Sequence, residues 1–103
     1  MADHLANVRK YDPDASEEVV DKIRKHCGIA LQNRDSATVA TSDKAEVERV
    51  ITGFCTKKLE LSPEEAEKAV AATTADMASE RAKDRVAFYY LIAKHAGKLE
   101  VFA

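Results

Sequence analysis

The chain predicts an all-α fold, a compact bundle of about five helices forming a single domain over residues 1–103. Three observations predict it. Only three glycines and two prolines interrupt 103 residues. Ala, Glu and Lys, which lose little side-chain freedom in a helix, are its commonest residues. Apolar residues recur three and four apart in successive stretches, several of them opened by a capping residue.

The first stretch, residues 4–10, sets Leu5 and Val8 three apart, enough for a short helix. Asp12-Pro13 ends it, because the residue before a proline is pushed out of the helical region. The second helix spans 15–27. Asp14 can cap it with Glu17 closing a capping box, and Ser16 is the alternative cap. Val19, Val20, Ile23 and Cys27 form its apolar stripe. Acidic residues come early and Arg24, Lys25 and His26 late, as the helix dipole prefers. Gly28 is its natural terminator. Residues 29–42 read as a structured connector with a short helical turn. The β-branched Thr38, Val39 and Thr41 favour strand weakly, but a strand there has no convincing partner.

The third helix covers 43–58, opened by Asp43 with Glu46 three residues on. Its stripe runs Val47, Val50, Ile51, Phe54 and Lys58, with Cys55 and Leu59 at the margin, and Gly53 suggests a close helix approach. Ser62-Pro63-Glu64-Glu65 is the strongest local signal. Serine caps, proline takes the first helical position, and Glu65 closes the box. The fourth helix, 63–77, carries a thin stripe of Ala66, Ala69, Val70, Thr73 and Met77. The fifth, beginning at 81 or 82 and ending at Ala96, is apolar on every side from Val86 to Ala93, so it is central in the bundle or faces a partner. Gly97 caps it, and the alternating tail can lay Leu99 and Phe102 onto the bundle.

Lys10-Tyr11-Asp12-Pro13, the stretch from Lys25 to Leu31, Phe88 to Ala93, and the closing Gly97 to Phe102 resemble, in order and across essentially the whole chain, a family of small bacterial proteins of unknown function. The resemblance implies a bacterial cytosolic protein with a mainly helical fold. It implies no activity, and it carries over no functional residue.

Composition narrows the function classes. Eighteen alanines stand against 22 Val, Ile, Leu and Phe residues, so the core is thin and burial against a partner would matter. Sixteen basic against 18 acidic residues give a net charge of -2, which leaves no overall basic footprint for nucleic acid. No run of 18 apolar residues predicts a membrane span, and the N-terminal pattern predicts no secretory leader. With Cys27 and Cys55 as its only cysteines, the chain has no disulfide framework, so the expected compartment is the cytoplasm.

No residue pattern supplies a catalytic, metal or cofactor site. His26 and Cys27 are adjacent rather than spaced as ligands, and both cysteines read as small core residues. The acidic clusters Glu17-Glu18 and Glu64-Glu65-Glu67 sit in first helical turns, where negative charge is stabilising. Phe88, Tyr89 and Tyr90 span about 200° of a helix surface at 100° per residue. They are the candidate protein-binding residues, with a second copy or another protein as partner. Arg81, Lys83 and Arg85, which precede them, are the candidates under a nucleic-acid reading, although Glu80 and Asp84 interleave with them. The leading expectation is a non-enzymatic protein acting through protein contacts. A nucleic-acid-associated accessory protein and a small enzyme whose site assembles only in three dimensions are the alternatives.

Overall fold

A computed structural model of the chain describes residues 4–28, 38–39, 43–78 and 83–102. Five α-helices lie in the described residues: α1 His4–Arg9, α2 Glu17–Cys27, α3 Lys44–Arg49, α4 Pro63–Asp76 and α5 Arg85–Ala96. A π-helix, Val50–Thr56, continues α3, and a 3-10 turn, Leu99–Phe102, follows α5. The bundle has a radius of gyration of 12.2 Å, near the roughly 13 Å expected for a folded chain of this length.

The caps explain the boundaries. Ser62 accepts the Glu65 amide while the Glu65 carboxylate accepts the Ser62 amide, so both halves of the capping box form. Ser16, not Asp14, caps α2 by accepting the Val19 amide. Asp12 already holds the preceding turn, taking the Asp14 amide on its side chain and the Ala15 amide on its carbonyl. Gly28 ends α2 at φ 35°, a positive value that glycine adopts without a Cβ penalty. Gly97 ends α5 in the left-handed region at φ 69°, and the Lys98 amide bonds back to the Ala93 carbonyl.

Helix α5 is the axis. Every residue from Arg85 to Ala93 is buried, and α4, α2 and α1 pack around it. This settles why its sequence is apolar all round: neighbours cover every face. The thin stripe of α4 lies against it, with Ala66, Ala69, Val70, Thr73 and Met77 all buried. Small side chains let the two axes approach. Thr73 enters the core because its hydroxyl bonds the Ala69 carbonyl, leaving no polar group unmet.

The structure departs from the sequence reading in five places. Thr38–Val39 is a strand, β1, and its partner is Lys83–Asp84, β2, paired antiparallel with Thr38 opposite Asp84. The partner was illegible because Lys83-Asp84 reads as the first turn of a helix. Helix α5 accordingly starts at Arg85, with Asp84 as its cap accepting the Ala87 amide. The rest of the predicted 29–42 connector lies outside the described residues, apart from Thr38 and Val39. Asp43 caps α3 through the Ala45 amide, but Glu46 closes no box, because its carboxylate goes to a buried arginine.

The third helix also widens into a π-helix after Arg49, and this changes which side chains face inward. Val50, Phe54, Cys55 and Leu59 are buried, whereas Val47 and Ile51 are only partly covered and Lys58 is exposed. The Leu59 amide bonds the Phe54 carbonyl five residues back, so one extra residue per turn carries Cys55 and Leu59 from the margin into the core. Gly53 marks no close approach, since a Cβ there would meet open space.

Candidate functional site

Two regions concentrate polar chemistry, and they differ in kind. The first lies at the N-terminal end of α5. The Arg85 guanidinium is buried and donates to the Tyr89 hydroxyl at 2.9 Å and to the Glu46 carboxylate. Burial works against its charge, but Glu46 and Tyr89 more than offset this and hold the guanidinium above its ordinary pKa. Burial raises the Tyr89 hydroxyl, and Arg85 partly counters that. Asp84, also buried, receives the His4 Nδ1 at 2.9 Å. A carboxylate only accepts, so Nδ1 carries the proton. Asp84 thus serves as strand residue, helix cap and anchor for α1 at once. Among the described residues no buried side-chain polar atom lacks a partner. A network closed in this way holds elements together and offers no open valence to a ligand.

This assigns the predicted nucleic-acid residues. Lys83 and Arg85 are buried, so neither presents a cation to a phosphate backbone, and Arg81 lies outside the described residues. The aromatic trio is also enclosed by its own chain. Phe88 is 0%, Tyr89 8% and Tyr90 2% exposed. Tyr89 stacks on Phe54 with centroids 4.2 Å apart. Tyr90 donates to Asp12 at 2.6 Å, tying α5 to the turn after α1. That hydrogen bond, with help from Lys94 and against the effect of burial, lowers the Asp12 carboxyl pKa. Burial first and Asp12 second raise that of Tyr90. The trio therefore builds the core, and a contact surface must be sought elsewhere.

The second region is an open cleft of about 380 Å³ between the end of α2, the turn after the π-helix and the C-terminal turn. Lys22, Lys25, His26, Lys58, Val101 and Phe102 line it. Its floor is aromatic. Phe102 is buried 6.0 Å from Phe54 in a stacked arrangement, and the His26 ring leans on Phe54 at 5.4 Å and on Phe102 at 6.2 Å. Lys58 sits over the Phe102 ring, Nζ to centroid 5.3 Å, a cation–π contact that fixes the ammonium at the rim. Partial burial, and then the Lys58 charge, lower the His26 pKa and favour its neutral form. Val101, 39% exposed, is the only large apolar side chain exposed among the described residues, and it stands at this cleft.

Charge sets this cleft apart. No carboxylate lines it among the described residues. A groove of about 370 Å³ between α3 and α4 mixes Lys44 with Glu48 and Glu67 around Val47 and Ile51. A concavity by the end of α5 mixes Glu65 with Lys68 and His95. Two of the three cleft lysines are only loosely engaged. Lys22 meets Glu18 at 3.5 Å and Lys25 meets Asp21 at 3.4 Å, both pairs well exposed.

The cysteines sit where the sequence placed them, in the core. Burial pushes the Cys27 thiol up to about 12 and the Cys55 thiol up to about 11, the reverse of what a nucleophilic thiolate needs. His95 binds Asp76 at 2.6 Å on the surface. Among the described residues no group of three or more His, Cys, Asp or Glu could hold a metal ion, and no helix is long and apolar enough to cross a membrane.

In the sequence Lys25 and His26 read as ordinary helix-end cations, Lys22 as one half of an i,i+4 pair with Glu18, and Lys58 as the last position of the third helix's stripe. The signal that unites them, Phe102 folding back onto Phe54, is a contact between segments almost fifty residues apart. Residues 3–100 match the model of a family described as protein of unknown function, DUF2853, and the chain belongs to that family. No curated protein matches it.

Proposed function

We propose that this member of the family acts without catalysis, by non-covalent contact with another protein, and that the contacting surface is the cleft of Lys22, Lys25, His26, Lys58, Val101 and Phe102. The observation that carries the reading is the lining of that cleft: three lysines and a histidine, no carboxylate among the described residues, and beside them Val101, the one large apolar side chain exposed among the described residues. A lone exposed valine is ordinary on a protein surface, but set beside a cleft of one charge sign it gives a contact there an apolar component. The surrounding lysines give such a contact orientation and partner choice. The two reduced thiols suit a bacterial cytoplasm, which the family resemblance also favours.

A photo-crosslinking side chain placed at position 101 tests the reading in the native host. The expected result is a discrete adduct from position 101, weakened in Lys22→Gln/Lys25→Gln, with none from the same group placed at exposed Ala75 on α4. Its mass distinguishes a second copy of this chain from a different protein. No adduct from position 101, or equal adducts from both positions, overturns the proposal.

A further inference from the structure

We infer that the cleft recognises an acidic peptide segment, one in which carboxylates flank a single apolar side chain. The inference rests on the protein-contact reading above and adds the chemistry of the partner. Its basis is the contrast between the chain and the cleft. The protein carries a net charge of -2, yet among the described residues this concavity is lined by three lysines, one histidine and two apolar side chains, with no carboxylate. The groove between α3 and α4 and the concavity by the end of α5 mix both signs. Carboxylates entering here meet cations from two directions, Lys22 and Lys25 on α2 and Lys58 across the cleft. Lys22 and Lys25 turn to them from exposed pairs with Glu18 and Asp21 that contribute little. Glu18 and Asp21 stay behind on the helix, so the ligand's carboxylates must compete with them, and more than one is needed.

The aliphatic part of the site selects peptide over nucleic acid. Single-stranded nucleic acid is held by exposed aromatic faces on which bases stack. The Phe102 ring is 3% exposed and already carries Lys58 over it, and the ring of Phe54 is buried beneath. Val101 offers no stacking face but suits a leucine-sized side chain. The cleft volume of about 380 Å³ accommodates one such anchor with its flanking backbone, at the small end of ligand pockets.

The test titrates labelled protein with the synthetic peptide Glu-Glu-Leu-Glu-Glu and follows backbone amide signals by nuclear magnetic resonance, a method that reads weak binding. Saturable shifts at Lys22, Lys25, His26, Lys58 and Val101 are expected. Affinity should fall at least about tenfold when the glutamates are replaced by glutamines, and by a similar factor in Lys22→Gln/Lys25→Gln/Lys58→Gln, the equivalent of three exposed ion pairs lost. Should that triple variant melt early because Lys58 no longer covers Phe102, Lys22→Gln/Lys25→Gln keeps the core intact and should still weaken binding several-fold. Absence of saturable shifts, equal binding of the glutamine peptide, or tighter binding of a short oligothymidylate at the same residues overturns the inference. If the position-101 crosslink persists when the peptide fails, the acidic-partner chemistry falls and the contact reading stands. If the crosslink itself is absent, the contact reading falls.

Discussion

The two polar regions of this small bundle use cationic side chains to opposite ends. At the start of α5, Glu46, Arg85 and Tyr89 form one network and His4 with Asp84 another, with Arg85, Tyr89 and Asp84 buried, Glu46 and His4 part-buried, and each partnered. At the C-terminal cleft, Lys22, Lys25 and Lys58 stand around an aromatic floor, and among the described residues Lys22 and Lys25 have only exposed carboxylate partners and Lys58 has none. The difference teaches that a cation's meaning depends on what faces it. Arg85 lies in the stretch that most resembled a phosphate-binding patch, yet its charge is spent inside the fold. The lysines that no pattern in the sequence singles out are the ones left at the open cleft.

The comparison breaks most readily at Arg85. Replacing it by methionine removes the donor to the buried Tyr89 hydroxyl and leaves Glu46 only its exposed partner Arg49, which is expected to lower stability by about 2 kcal/mol, the range for a lost hydrogen bond to a charged group. Urea unfolding measures this, and a loss below about 1 kcal/mol would mean that the network is not closed in solution.

Tyr90→Phe removes the hydroxyl that Asp12 accepts and should remove about 1.5 kcal/mol, the range for a hydrogen bond to a charged group. It carries a pH signature. The folded Asp12 carboxyl titrates below its ordinary 3.8, chiefly through Tyr90. Its contribution is therefore present above that value and lost as pH falls below it. The wild-type chain should lose stability more steeply than Tyr90→Phe on acidification through this window. Parallel acid limbs would show that the bond does not form.

The thiols give the alkaline counterpart. Burial holds Cys27 near 12 in the fold against about 9 unfolded, so stability is full below 9 and falls as pH rises above it, by roughly 1 kcal/mol per thiol at pH 10. A thiol reagent should label the native protein slowly and the unfolded chain fast. Rapid native labelling of Cys27 would place it at the surface and contradict its burial beside Arg85.

The smallest effect is expected at the cleft. Lys22→Gln/Lys25→Gln should change stability by no more than about 0.5 kcal/mol, because both lysines make only exposed ion pairs. Thermal unfolding checks this. A larger loss would make these lysines structural and erase the contrast with Arg85.

Much of the fold was legible before any coordinates. The caps at Ser62 and Asp43, the terminators Gly28 and Gly97, the α4 stripe and the burial of both cysteines are local or periodic properties, and each was read from spacing alone. The apolar run of α5 stated its dilemma correctly, core axis or interface, without deciding it. Asp14 and Ser16 satisfy the same local capping rule, so the sequence offers both as the cap of α2. Only the turn held by Asp12 separates them.

The chain by itself thus determined that it would be a helical bundle and where most helices begin and end, because capping and periodicity act within a few residues. Tertiary structure decided everything that depends on distant pairs. It paired Thr38–Val39 with Lys83–Asp84, drew Glu46 from its capping role to Arg85, and turned Cys55 and Leu59 inward through a π-helix. It also folded the tail back so that Lys58 and Phe102 complete a cleft begun by α2. Each of these is settled by burial and charge compensation across the bundle, energies that no local window of the sequence contains.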